Sequence, residues 1–163
     1  MKSKFLLMFI FIPFLVFAAT YTVTETTDDG TGNTTGSLSW ALNQSNASPG
    51  VDDEIIFDLS SGSTVTISTE LPTITDGVTV DGNDDGTNVS VQVTSPGVTE
   101  SRVFNIDAAD ETVNLSNMTI KGGDVSDTNI PGCYGGCIYL QDGTLTLDNL
   151  VIQDGKAHNG GGF

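Results

Sequence analysis

The sequence predicts an all-β fold, a solenoid of stacked coils behind an N-terminal cap that contains one short helix. Three observations predict it. Helical periodicity is nearly absent, short runs of alternating apolar residues recur along the chain, and one such pattern returns at an offset of 32 residues. Alternation with a period of two is typical of half-buried strands, and a recurring strand pattern is typical of a solenoid.

The first 18 residues have the pattern of a secretory signal peptide. Lys2 and Lys4 are followed by the uncharged run Phe5–Phe17 and by Ala18, which precedes the polar chain. This order predicts export and cleavage after Ala18, with cleavage after Ala19 as the alternative. A membrane anchor is disfavoured because a bilayer requires roughly 20 apolar residues, and this run has 13.

The remaining chain is strongly acidic. Removal of residues 1–18 leaves three basic residues against 21 acidic ones, a net charge of −18. Such a surface repels nucleic acid and anionic lipid, and it attracts divalent cations. We therefore expect no nucleic-acid partner and no membrane insertion by the mature chain.

Residues 19–75 are predicted to form the cap and the first coil. Gly36–Asn46 has the features of a short helix, with Ser37 as its N-cap and Leu38, Ala41 and Leu42 on one face. The strand Glu54–Phe57 follows a Ser-Pro-Gly turn. A helix in front of the first coil would cover apolar core that the solenoid otherwise exposes.

Residues 76–163 are predicted to form the β-helix coils. The pattern Val113–Gly123 recurs at Leu145–Gly155, and an earlier echo places Val78–Gly82 over Met118–Gly122 at an offset of 40. The predicted short strands, from the cap onward, are Val65–Ile67, Val78–Val80, Val89–Val93, Val103–Ile106, Val113–Leu115, Met118–Ile120, Ile138–Leu140, Leu145–Leu147 and Leu150–Ile152.

Asn117 and Asn149 occupy the same position in the 32-residue repeat, between its two strands. A corner between strands needs a residue that tolerates a left-handed backbone, and Asn does. Stacked Asn side chains also bond one another. We predict that both residues turn corners and form a ladder.

One segment matches the first half of a calcium loop. Asp81, Asn83 and Asp85 alternate as oxygen ligands before Gly86, as in Asp-x-Asn-x-Asp-Gly. The twelfth position is Gln92 rather than a bidentate Glu, so calcium would bind weakly. The alternative is a turn rich in Asx residues that holds no metal.

The two cysteines, Cys133 and Cys137, are separated by three residues. Export makes a disulfide between them permissible. The alternative is two reduced thiols, one in a loop and one facing the core, and the spacing does not decide between them.

Several motifs resemble a known group of proteins. Gly36-Ser37-Leu38, Pro49-Gly50-Val51-Asp52, Ile55–Phe57 and Leu71–Ile74 resemble the N-terminal cap and first coil of secreted bacterial right-handed parallel β-helix (pectin-lyase-like) proteins. Gly135–Ile138 and Gly160–Phe163 resemble the glycine-pair motif of polymorphic outer membrane protein and adhesin repeats. The resemblance implies a right-handed parallel β-helix at the cell outer membrane or outside the cell.

The same resemblance implies a structural stalk or adhesin-type binding module. Its partner would be a surface glycan or a host or neighbour-cell protein, and Gly122–Gly136 is the first candidate for contact. The alternative is the N-terminal part of a secreted polysaccharide lyase or glycoside hydrolase. We expect no catalytic residue here, since the family's hydrolase motifs are absent apart from isolated Asp pairs. We also expect a longer protein to continue beyond Phe163.

Overall fold

The computed structural model describes residues 17–84, 86–93, 101–126 and 134–159. It confirms the predicted fold class: across these residues the chain is mostly strands with one short helix, and its coils stack into a parallel β-solenoid of about four turns. The elements are β1 (Thr20–Val23), β2 (Thr27–Asp28), α1 (Leu38–Ser45), β3 (Asp53–Phe57), β4 (Thr64–Ile67), β5 (Val78–Asp81), β6 (Asn83–Asp84), β7 (Thr87–Val93), β8 (Phe104–Lys121), β9 (Asp124–Val125), β10 (Ile138–Gln153) and β11 (Lys156–Ala157).

Three faces run along the stacked coils. The first face contains β1, β3, β5 and the middle parts of β8 and β10, all parallel. The second contains β2, β4, β7 and the last parts of β8 and β10. The third contains Ile74, Ile106 and Leu140, which are paired in parallel. The long strands β8 and β10 therefore each contribute to all three faces.

The register confirms the 32-residue repeat. Val113 pairs with Leu145, and Ile120 pairs with Ile152. The earlier echo at an offset of 40 was wrong: Val78 pairs with Val113, while Met118 pairs with Val89. Val78–Gly82 and Met118–Gly122 look alike because each is a strand segment followed by Gly. The first lies on the first face, and the second lies on the second face.

Both predicted corner asparagines turn in the left-handed region. Asn117 has a φ of 53° and Asn149 a φ of 49°. The amide nitrogen of Asn149 donates to Asn117 Oδ1 at 2.8 Å, and the amide nitrogen of Asn117 donates to Asp81 Oδ1 at 2.8 Å. The predicted ladder is therefore present, and Asp81 extends it by one rung.

The core lies inside the solenoid and is built from alternate residues of each strand. Val80 and Leu115 on the first face and Val91 and Ile120 on the second are fully buried. Leu147, one coil beyond Leu115, is 37% exposed. Among the described residues, β10 pairs along one edge only, so its apolar side chains are less covered.

The predicted helix forms and closes the front of the core. Ser37 is the N-cap, and its Oγ accepts from the Trp40 N–H at 3.1 Å. The Asp28 carboxylate accepts hydrogen bonds from the Ser39 N–H and from the Ser39 hydroxyl, both at 2.6 Å. These two bonds connect the N-terminal end of the helix to β2. Leu38, Ala41 and Leu42 are buried. The helix is thus held by hydrogen bonds at one end and by an apolar face along its length.

Candidate functional site

The loop predicted to bind calcium forms a hairpin. β6 pairs antiparallel with β7, and Gly86 has the positive φ of 82° that the turn requires. Asp81 Oδ1 accepts from the Asn83 N–H at 3.0 Å, and Asn83 Oδ1 accepts from the Gly86 N–H at 3.1 Å. Asp85 lies outside the described residues.

These bonds are those of an Asx turn, in which the side chains organise their own loop. Asp81 Oδ1 also accepts from Asn117, so one predicted calcium ligand belongs to the corner ladder. Over the described part of the chain, no three His, Cys, Asp or Glu residues gather as a metal site. Calcium at Asp81, Asn83 and Asp85 stays a prediction.

Cys137 lies at the start of the last described coil and faces the core. It is fully buried, and its Sγ lies 3.5 Å from the carbonyl oxygen of Gln153. Burial raises the pKa of the Cys137 thiol, because a thiolate is poorly solvated there. Cys133 lies outside the described residues, so the disulfide also stays a prediction.

The loop predicted to contact a partner is described at its two ends, Gly122–Ser126 and Tyr134–Gly136. Asp124 anchors the first end: its carboxylate is buried and accepts from the Ser126 N–H at 3.1 Å and from Lys156 Nζ at 3.3 Å. Burial opposes ionisation, but the bonds from Ser126 and Lys156 outweigh it and hold the pKa of Asp124 below its ordinary value.

The second end of that loop carries an aromatic cluster on the third face. The rings of Tyr134 and Tyr139 stack with centroids 6.0 Å apart and planes inclined by 19°. The Arg102 guanidinium lies 4.9 Å from the centroid of the Tyr139 ring. Arg102 Nε donates to the Tyr134 carbonyl at 3.0 Å, and Nη1 lies 3.5 Å from Glu70 Oε1. We call Glu70, Arg102, Tyr134 and Tyr139 the third-face cluster.

The solenoid repeat places these residues together. Glu70, Arg102 and Tyr134 are spaced by 32 residues, one coil each, so they form a column across three coils. Tyr139 pairs with Asn105 and points outward because its neighbour Ile138 points into the core. The sequence already contained this signal, since the offset of 32 also connects these residues. The repeat is visible in the sequence where the equivalent residues are alike, as Asn117 and Asn149 are, whereas Glu70, Arg102 and Tyr134 are three different residue types.

Polar groups border the cluster. Asn105 donates its amide to the Thr73 hydroxyl at 3.1 Å, and Gln141 donates its amide to Asp107 Oδ2 at 2.9 Å. Tyr134 is 49% exposed, which makes it the most exposed aromatic ring of the solenoid coils among the described residues. The cluster therefore combines an exposed apolar ring surface with hydrogen-bonding groups beside it.

No family model, no curated protein and no solved structure matches this chain.

No helix among the described residues is both long enough and apolar enough to cross a membrane.

Proposed function

We propose that this chain is an exported β-helix domain that acts as a structural stalk and adhesin-type binding module at the cell surface or outside the cell. The leader pattern of residues 1–18 supports export. The solenoid supports the structural role, because stacked coils form an elongated scaffold with continuous lateral faces.

The observation that carries the binding role is the third-face cluster. It combines an exposed Tyr134 ring with the Arg102–Glu70 ion pair, 3.5 Å apart, on a rigid face. The chain's strongly acidic charge disfavours anionic glycans, and Glu70 already neutralises Arg102. A neutral surface glycan is therefore the proposed ligand, bound by stacking on Tyr134.

The test is affinity electrophoresis of the exported protein in gels that contain neutral or uronate-rich polysaccharides. We expect a neutral glycan to retard the protein. The Tyr134→Ala variant should bind about fivefold more weakly, because an aromatic stacking contact contributes about 1 kcal/mol. Val151→Ala is the matched control, since Val151 is 46% exposed and lies on the second face.

Equal weakening in both variants, or no retardation by any polysaccharide, would contradict a glycan site at the third-face cluster. Breakdown of the polysaccharide during the run would favour the alternative, the N-terminal part of a secreted lyase or hydrolase.

A further inference from the structure

At the predicted cleavage point, the backbone that leads into β1 is hydrogen-bonded to a buried carboxylate. The Ala19 N–H donates to Asp53 Oδ1 at 2.7 Å, and Asp53 is only 1% exposed. Asp53 Oδ2 accepts from the Ser48 hydroxyl at 2.6 Å. Both carboxylate oxygens therefore have neutral donors, while the negative charge lies in a place from which water is excluded.

The basic side chains of the mature chain lie beside other carboxylates. Arg102 pairs with Glu70, Lys121 with Asp154, and Lys156 with Asp124. A buried carboxylate without a cation is costly, since burial disfavours the charged form. Buried Asp53 instead lies beside the backbone nitrogen of Ala19, which cleavage after Ala18 would convert into an amine.

We propose that Asp53 is the receptor site for the new N-terminal ammonium of Ala19, formed when the leader is removed after Ala18. This inference rests on the proposed export. Hydrolysis by the exporting cell's signal peptidase breaks the Ala18–Ala19 C–N bond. Water supplies a hydroxyl to the Ala18 carbonyl carbon and a proton to the Ala19 nitrogen. The new Ala18 carboxyl group then releases a proton, and the Ala19 amine takes up a proton and becomes cationic.

The position of the bond fits this chemistry. Phe17 is 76% exposed and Ala18 is exposed, so the chain is accessible on the leader side of the bond. On the mature side, the Ala19 carbonyl accepts from the Glu54 N–H at 2.9 Å. Ala19 is thus fixed beside β3 before its amine forms. Cleavage converts the hydrogen bond between the uncharged Ala19 N–H and Asp53 into an ion pair with the buried Asp53 carboxylate, which strengthens the connection between β1 and β3.

Removal of the leader would then increase the stability of the folded chain. Among the described residues, no cationic side chain pairs with buried Asp53 before cleavage, and cleavage would place the Ala19 ammonium beside it. The other titratable groups around this end of the solenoid are Asp52, Glu54, Asp76 and Glu111, all carboxyls. A negative charge close to an amine favours its ammonium form.

The experiment measures the N-terminal residue and the pKa of its amine on exported protein. Intact mass and N-terminal sequencing identify the first residue, and reductive ¹³C-methylation followed by NMR titration reports the amine. An ordinary α-amino group has a pKa of about 7.7–8.0. We expect Ala19 as the first residue, with a pKa raised by about one unit or more, a tenfold shift in the protonation equilibrium.

Asp53→Asn should return the amine to its ordinary pKa. Glu54→Gln is the matched control, because it removes the same charge from the next residue, which is exposed on β3, and it should leave the pKa raised. The raised pKa means that the added stability is complete below about pH 7.7 and is lost as pH rises through the folded-state pKa. Wild type and Glu54→Gln should therefore lose melting temperature between about pH 8 and 10, and Asp53→Asn should lack that step.

An ordinary amine pKa in the wild type, or a mature chain that begins at Thr20, would overturn the Asp53 site and leave export intact. Exported protein that retains its leader would overturn the site as well, and cytoplasmic retention would overturn the proposed function. The wild-type titration decides the question even if Asp53→Asn fails to fold.

Discussion

The corners of the solenoid depend on individual side chains. Asn117 and Asn149 adopt a left-handed backbone and hydrogen-bond each other at 2.8 Å, and Asn117 also bonds Asp81. Their equivalent places in the repeat predicted both the turn and the ladder. Asp81 as the third rung could not be predicted, because its coil was aligned at the wrong offset.

Substitution of Asn117 separates the backbone role from the side-chain role. Asn117→Gly keeps the left-handed turn and loses hydrogen bonds worth about 1 kcal/mol each. Asn117→Ala loses the same bonds and is less stable than the Gly variant by about 1 kcal/mol, because Ala resists this conformation. Urea unfolding of both variants measures the difference.

Asn114 is the matched control, since it lies in the extended part of β8 and donates to the Thr79 hydroxyl at 3.2 Å. There the order should reverse, with Gly less stable than Ala by about 0.5–1 kcal/mol. The same order at both positions would contradict the corner assignment.

At the scale of elements, the successive coils differ in length. Along the first face, Thr20, Glu54, Thr79, Asn114 and Thr146 pair in sequence, at spacings of 34, 25, 35 and 32 residues. The 32-residue pair was predictable because four apolar positions recur in it: Val113, Leu115, Met118 and Ile120 align with Leu145, Leu147, Leu150 and Ile152. The 25-residue spacing between Glu54 and Thr79 was not predictable. A loop on the outside of a solenoid can change length without disturbing the pattern of core residues.

Equivalent leucines in β8 and β10 test how the coils cover one another. Leu115 is fully buried between coils, whereas Leu147 is 37% exposed. Leu115→Ala should destabilise the fold by about 2–5 kcal/mol, as for other buried leucines, and Leu147→Ala by less than half as much. Chemical unfolding of the two variants gives both values, and an equal loss would show that Leu147 is covered by further chain.

Candidate sites were harder to predict than strands. Cys137 faces the core, but Cys133 lies outside the described residues, so the choice between a disulfide and two reduced thiols stays open. The third-face cluster joins Glu70, Arg102 and Tyr134 from three coils, and residues so far apart become neighbours only once the register is known. The chosen loop, Gly122–Gly136, did contain Tyr134. Glu70, Arg102 and Tyr134 differ in residue type, so no repeated residue reveals their column in the sequence, and their contacts follow from the fold.

The whole molecule combines an acidic surface, a rigid scaffold and a lateral aromatic cluster. Without the predicted leader, residues 1–18, the chain would have a net charge of −18, which favours solubility and disfavours polyanions. The proposed ligand site lies on the side of the solenoid, so further coils could be added at its end without covering it. These features together support a displayed binding module, and display requires export.

Surface labelling tests the central claim of an exported module most directly. The complete chain, carrying a C-terminal epitope tag, would be expressed with its own leader in a bacterial host. Antibody would then be applied to intact and to permeabilised cells, and the culture medium would be probed in parallel. We predict tag on intact cells or in the medium, on a chain that lacks residues 1–18. Tag detected only after permeabilisation, on a chain that keeps its leader in the cytoplasm, would contradict the account.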